Sequence, residues 1–104
     1  MKKIETIEQF NEIMNKEKTF YIFKHSTTCP ISAQAFQEYE QFLKENEAVS
    51  GYYLIVREAR PLSNEIAERL EIKHESPQAF FVKDGKPVWN ASHSAITKEA
   101  LKNI

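Results

Sequence analysis

The chain has one cysteine, Cys29, in the segment Ser26-Thr27-Thr28-Cys29-Pro30-Ile31-Ser32. An apolar run, Phe20-Tyr21-Ile22-Phe23, precedes it, and a helix-like segment follows. A thiol at a strand-to-helix turn stands outside the carboxyl end of its strand, where open α/β sheets bind ligands. The first turn of the following helix directs free N–H groups and a partial positive charge toward the sulfur. Both features favour the thiolate, as do the Thr28 and Ser32 hydroxyls where they donate to it. Ser32 occupies the position at which a Cys-x-x-Cys site holds its second thiol. Redox chemistry in this chain is therefore monothiol chemistry: Cys29 forms a mixed disulfide, and a thiol from another molecule resolves it.

Magnitudes show what such a setting is for. Lowering a thiol from the free value of ~8.5 to ~7 raises the thiolate fraction near neutral pH about tenfold. With a Brønsted coefficient of ~0.4–0.5, the same change costs roughly fivefold in intrinsic nucleophilicity. The net gain in attack is small. The larger gain is in leaving ability when a second thiol attacks the mixed disulfide, which suits turnover. The alternative is an inert buried thiol, the common state of free cysteines. The polar Ser26-Thr27-Thr28 stretch and Pro30 argue against it.

The elements that must hold Cys29 are legible in the pattern. Thr6-Ile7-Glu8-Gln9 reads as a capping box, with Ile7, Phe10, Ile13 and Met14 following at helical spacing. Phe20–Phe23 is short and continuously apolar, as a strand covered on both faces is. Pro30 suits a first helical position, where its missing N–H costs nothing. Ala35, Phe36, Tyr39, Phe42 and Leu43 then give an apolar stripe to about Asn46. Tyr52–Val56 is a second strand, completing a strand–helix–strand unit. Pro61 opens a helix with Leu62, Ile66 and Leu70, and Ala79–Val82 is a third strand. Asp84-Gly85 signals a hairpin into Val88–Ala91, which Pro87 marks as an edge strand. Thr97 caps a final helix to about Asn103. The expected class is α/β, one domain over residues 1–104, with a central mixed sheet of about four strands flanked by helices.

Composition narrows the function. With 104 residues, 41% hydrophobic and 28% charged, the chain is long enough for a real core and of ordinary globular composition. A net charge of −1 argues against nucleic acid and gives no reason to expect an anionic membrane surface. Met1-Lys2-Lys3 resembles the start of a signal peptide, but Glu5, Glu8 and Gln9 stand where its apolar region belongs. The expectation is a cytoplasmic protein, and a single cysteine fits a reducing compartment. His25, His74 and His93 are scattered and show no ligand spacing, so no metal site is expected. His25 either orients the thiol or satisfies a hydrogen bond at the strand end. Lys24 is read two ways, as a positive charge near the thiolate that contacts substrate, or as a solvated strand terminus. Glu75-Ser76-Pro77-Gln78 precedes the third strand, and an X-Pro bond there is a candidate for the cis form.

These residues carry a resemblance. Lys24-His25-Ser26, Thr28-Cys29-Pro30-Ile31-Ser32, Ala59-Arg60-Pro61-Leu62-Ser63, Lys73-His74-Glu75-Ser76-Pro77-Gln78-Ala79 and Ser92-His93 resemble the YtxJ-like monothiol bacilliredoxins of low-GC Gram-positive bacteria. The likeness runs the whole length, and the two blocks around Cys29 and Pro77 are specific together. It implies a thioredoxin-like fold and removal of bacillithiol, the small thiol of those bacteria, from protein mixed disulfides. The family's cysteine falls on Cys29 and its cis-proline on Pro77. The implied substrate contacts are Lys24, Thr28, Pro30, Ser32, Ser76 and Pro77, the residue before the cis-proline offering its backbone to an extended substrate. The implied partners are bacillithiolated proteins and a small thiol or reductase. Bacillithiol is then a co-substrate, with no tightly bound cofactor.

Other classes compete. A peroxiredoxin motif is matched by Ser26, three residues before Cys29, but Ile22 stands where that motif needs proline. Monothiol glutaredoxins that carry an iron–sulfur cluster between subunits share Cys-x-x-Ser, yet have Gly-Phe where this chain has Pro30-Ile31. A visible spectrum of the isolated protein separates that carrier reading. In a third, non-enzymatic reading the domain is a stress or interaction module, and full function of a Cys29→Ser protein would favour it.

Overall fold

The computed structural model describes residues 1–104. Its elements run β1 (Lys2–Lys3), α1 (Ile7–Lys16), β2 (Thr19–His25), α2 (Pro30–Glu45), β3 (Gly51–Ile55), α3 (Arg60–Leu70), β4 (Gln78–Lys83), β5 (Lys86–Ser92), a 3-10 turn (His93–Ala95) and α4 (Lys98–Lys102). The strands form one sheet in the order β1-β3-β2-β4-β5. β2, which leads to Cys29, is its middle strand. It pairs with β3 in parallel, with Ile22 opposite Tyr52, and with β4 antiparallel, with Ile22 opposite Phe80.

Residues in β2 alternate between the two faces, as the pleat requires. Phe20 and Ile22 join a core built with Phe10 and Ile13 of α1 and Leu62, Ile66 and Leu70 of α3. Tyr21 and Phe23 join a second core with Ala35, Tyr39 and Phe42 of α2 and Leu101 of α4. That two-sided cover is why the segment reads as continuously apolar. Tyr39 is wholly buried, and its hydroxyl donates to the Tyr52 carbonyl at 2.8 Å, so a long polar tip is satisfied inside the core.

The local signals map onto the ends of the elements. Thr6 Oγ1 accepts from the Gln9 N–H at 3.1 Å, and the Gln9 side chain accepts from the Thr6 N–H at 3.1 Å. Thr97 Oγ1 caps α4 by accepting from the Ala100 N–H at 3.0 Å. Asp84 and Gly85 both take positive φ, 53° and 77°, as a two-residue hairpin turn of the right twist demands. β5 with Pro87 lies at the sheet edge.

The sheet has five strands where the sequence suggested about four. The fifth is β1, whose Lys2 and Lys3 stand opposite Tyr52 and Tyr53 in parallel. Two exposed lysines carry no apolar alternation, so only the backbone of β3 reveals the pairing. No helix is long and apolar enough to cross a membrane.

Candidate functional site

Cys29 is the N-cap residue of α2, with extended backbone angles of φ −107° and ψ 121°, and Pro30 is the first helical residue. The Cys29 carbonyl accepts the Ala33 N–H at 3.1 Å, and the Cys29 N–H donates to the Ser26 carbonyl at 3.1 Å. The thiol is free and half-buried. Its neighbours Thr28, Pro30 and Ile31 are exposed, with Ile31 49% accessible. A partly exposed cysteine at the open end of a sixteen-residue helix is a setting for attack on an incoming disulfide.

The turn before Cys29 is pinned from inside. Ser32 Oγ accepts the Ser26 N–H at 2.8 Å and lies 2.8 Å from His25 Nδ1. Ser32 is fully buried. The expected contact of Ser32 with substrate is therefore corrected: its hydroxyl turns to Ser26 and His25, and it fastens the thiol turn to α2. His25 stacks on Phe36 with centroids 4.4 Å apart and planes 6° off parallel. Burial lowers its pKa below 6.5, so the ring is neutral near pH 7. Of the two roles read for His25, the hydrogen bond at the strand end is the one built.

Lys24, next in β2, faces the opposite side of the sheet and is 0% exposed. The solvated strand terminus is corrected accordingly, and Lys24 presents no surface to a substrate. Its Nζ donates to the Ser63 carbonyl at 3.0 Å, lies 3.1 Å from His74 Nδ1 and sits 5.8 Å from the Phe80 ring centroid. Burial pulls its pKa from 10.5 to about 8, so the amine is still mostly charged at pH 7. A charged amine can only donate, which makes His74 Nδ1 the acceptor and puts the imidazole proton on Nε2. The His74 pKa is lowered by burial, then by the positive charges of Lys24 and Arg60, with Glu75 opposing.

Pro77 follows a cis peptide bond from Ser76 and is buried. Its carbonyl is used inside the chain, accepting the His93 N–H at 3.0 Å. Ser76 is different. Its backbone enters no hydrogen bond within the chain, and its Oγ is buried without a partner. Gln78 shapes the loop before it: Gln78 Oε1 accepts the Glu75 N–H, and Gln78 Nε2 donates to the Lys73 carbonyl, both at 3.1 Å. Such a brace is invisible in sequence, since nothing but the loop's course shows what an inward glutamine holds.

Two cavities flank the thiol turn. One, of about 350 Å³, is lined by Ser26, Thr27, Thr28, Val56, Arg57, Arg60, His74 and Ser76. The other, of about 450 Å³, lies along α2 and the 3-10 turn, with Pro30, Ile31, Gln34, Ala35, Glu38, His93 and Ile96 on its walls. No three His, Cys, Asp or Glu side chains gather as a metal-holding group.

A single cysteine at the N-cap after the middle strand, with a cis-proline at the head of the antiparallel strand that pairs with it, defines a thioredoxin-fold protein of the monothiol type. Solved structures bear out the fold. A thioredoxin-fold protein provisionally described as an oxidoreductase superposes with a TM-score of 0.92 at 44% identity, over 97% of this chain and 89% of that one. The thioredoxins of Plasmodium falciparum and Fasciola hepatica superpose at TM-scores of 0.78 and 0.79 and 18% identity, each over 99% of this chain and 94% of theirs. The sequence matches the monothiol bacilliredoxin family, BrxC, over residues 2–101, and the chain belongs to that family.

Proposed function

We propose that this protein is a cytoplasmic monothiol thiol–disulfide oxidoreductase that removes bacillithiol from protein mixed disulfides through Cys29. The observation that carries the reading is a half-exposed N-cap cysteine whose preceding residue, Thr28, lines one cavity with Ser76, and the Ser76 backbone is unpaired. An unpaired N–H and C=O next to a nucleophile suit a main-chain segment of substrate laid across the site. Family membership supports the thiol chemistry, and the small thiol's identity follows the family's description.

The Cys29 thiolate attacks the small thiol's sulfur in the substrate disulfide. The S–S bond to the substrate protein breaks, the substrate cysteine leaves as thiolate and takes a proton, and a new S–S bond joins Cys29 to the small thiol. A second small thiol or a partner reductase then attacks the small thiol's sulfur, and Cys29 leaves as thiolate. With a second small thiol the net change is one protein mixed disulfide reduced and one small-molecule disulfide formed, so electrons balance. Ser32 cannot close the cycle internally, so both exchanges are intermolecular.

The experiment is transfer. Incubation with a bacillithiolated protein, followed by mass spectrometry of the intact chain, is expected to show bacillithiol on Cys29 and the freed substrate thiol. A substrate that keeps its adduct while Cys29 stays unmodified would overturn the proposal.

A further inference from the structure

We propose that the cavity between the Ser26–Thr28 turn, Arg57, Arg60, His74 and Ser76 is a binding site for the carboxylates of an anionic small thiol whose sulfur exchanges at Cys29. The proposal deepens the function above, on which it rests, by naming the recognition element for the small-molecule side of the reaction.

Placement comes first. One wall is the turn that ends at Cys29, and Ser76, on another, immediately precedes the cis-proline. A molecule held here lies against Ser26, Thr27 and Thr28, the three residues that lead into Cys29. At about 350 Å³ the space suits a small ligand rather than a protein segment.

Charge comes second. The chain as a whole is slightly acidic, at −1, yet both Arg57 and Arg60 line this one cavity. Neither guanidinium belongs to any of the chain's ion pairs. Glu58, between them in sequence, is taken by Lys3 at 2.9 Å. Behind His74 stands the buried Lys24 ammonium, and Glu75, the acid nearest His74 in the chain, lies 4.0 Å from His93. Three cations thus converge on or behind a concave surface, none of them in an ion pair, with Glu75 the one carboxylate that acts on His74 there. Arginine forks bind carboxylates in bidentate fashion, which fixes orientation as well as affinity.

Unmet hydrogen bonding comes third. Ser76 Oγ is the buried side-chain oxygen left without a partner. With Nδ1 taken by Lys24, His74 holds its proton on Nε2 and adds a donor at the cavity wall. The groove on the other side of Pro30 contrasts: Ile31, Ala35 and Ile96 line it, and its one acid, Glu38, accepts the Lys98 N–H at 2.8 Å.

The test loads Cys29 with 2-thiopyridine and follows release of thiopyridone by mercaptosuccinate, a dicarboxylate thiol, and by neutral 2-mercaptoethanol. Both attack the Cys29 sulfur, form Cys29–S–S–R and expel thiopyridone, so the ratio of their rate constants, each corrected to thiolate, reads charge recognition. In the Arg57→Gln/Arg60→Gln double variant this ratio is expected to fall about tenfold, the effect of losing carboxylate contacts. In the unaltered protein it is expected to fall severalfold as salt shortens the screening length from ~30 Å at 0.01 M to ~8 Å at 0.15 M. The salt arm needs no variant to fold. A ratio unmoved by either change, or charge selectivity seen only for a cysteine peptide flanked by aspartates and not for mercaptosuccinate, would overturn the site. The assay needs only a reachable thiol. If bacillithiol transfer fails while the ratio behaves as expected, the function above is wrong and the anion site stands. If transfer succeeds and the ratio is flat, the reverse holds.

Discussion

Lys24 and His25 are adjacent on the middle strand and face opposite sides of one sheet. On the His25 side the polar groups close on themselves. Ser26 N–H, Ser32 Oγ and His25 Nδ1 satisfy one another, the imidazole lies flat on Phe36, and the adjoining groove is largely apolar. On the Lys24 side a buried ammonium stands behind His74, and the space beyond carries two arginines without acid partners. One side spends its polar atoms on holding the thiol turn in shape. The other leaves charge and donors unsatisfied. In a protein of nearly neutral net charge, this asymmetry at a single nucleophile separates what builds the site from what the site can bind.

The sharpest way to probe that division is to remove what both sides serve. Cys29→Ser is expected to abolish turnover, measured as release of bacillithiol from a substrate protein, because serine forms no disulfide. Multiple turnovers by that variant would dissolve the comparison.

Ser32→Ala breaks the His25 side alone. It leaves the Ser26 N–H and His25 Nδ1 without their partner, and a buried unsatisfied group costs about 1–3 kcal/mol. Denaturant unfolding is expected to show a loss of that order. Thiol exchange should persist, since Ser32 holds the turn and takes no part in bond making. Abolished exchange in a folded Ser32→Ala protein would give the hydroxyl a role at the sulfur.

Lys24→Met breaks the other side, and its signature lies in pH. The folded pKa of about 8 is below the ordinary 10.5. Between those values the unfolded lysine binds a proton that the folded one does not, so stability rises with pH across that window. Unfolding free energy of the unaltered protein minus that of Lys24→Met is expected to climb from pH 8 toward 10.5 and to be flat below 8. A flat difference throughout would mean that the amine is not held against its charge.

The smallest expected effect is a remote control. Thr6→Ala removes the hydroxyl that caps α1, at a cost of about 1 kcal/mol. The mercaptosuccinate to 2-mercaptoethanol ratio should not follow that loss. If it does, general loosening and not local charge sets the selectivity.

Much of this architecture lies in local sequence. Thr6 with Gln9, Pro30, Asp84-Gly85 and Thr97 act through neighbours within a few residues, so their elements were readable without a fold. So was Cys29 at a strand-to-helix turn, because strand, proline and helical stripe are contiguous. Tertiary structure alone decided the rest. β1 exists because Tyr52 and Tyr53 offer backbone partners to Lys2 and Lys3, some fifty residues away. Alternation along β2 sends Lys24 to Ser63 and His74, and no local pattern shows that a lysine beside a strand end is buried. Ser32 was legible as the missing second thiol but not as the pin of the turn, since its bond to His25 depends on how α2 lies over the sheet. Arg57 and Arg60 reach the thiol's flank only because β3 runs parallel to β2 and its end comes level with Cys29's turn. Sequence determined the nucleophile and the elements, whose causes are short-range. Packing determined which charges stand next to it, because that depends on contacts between residues far apart in the chain.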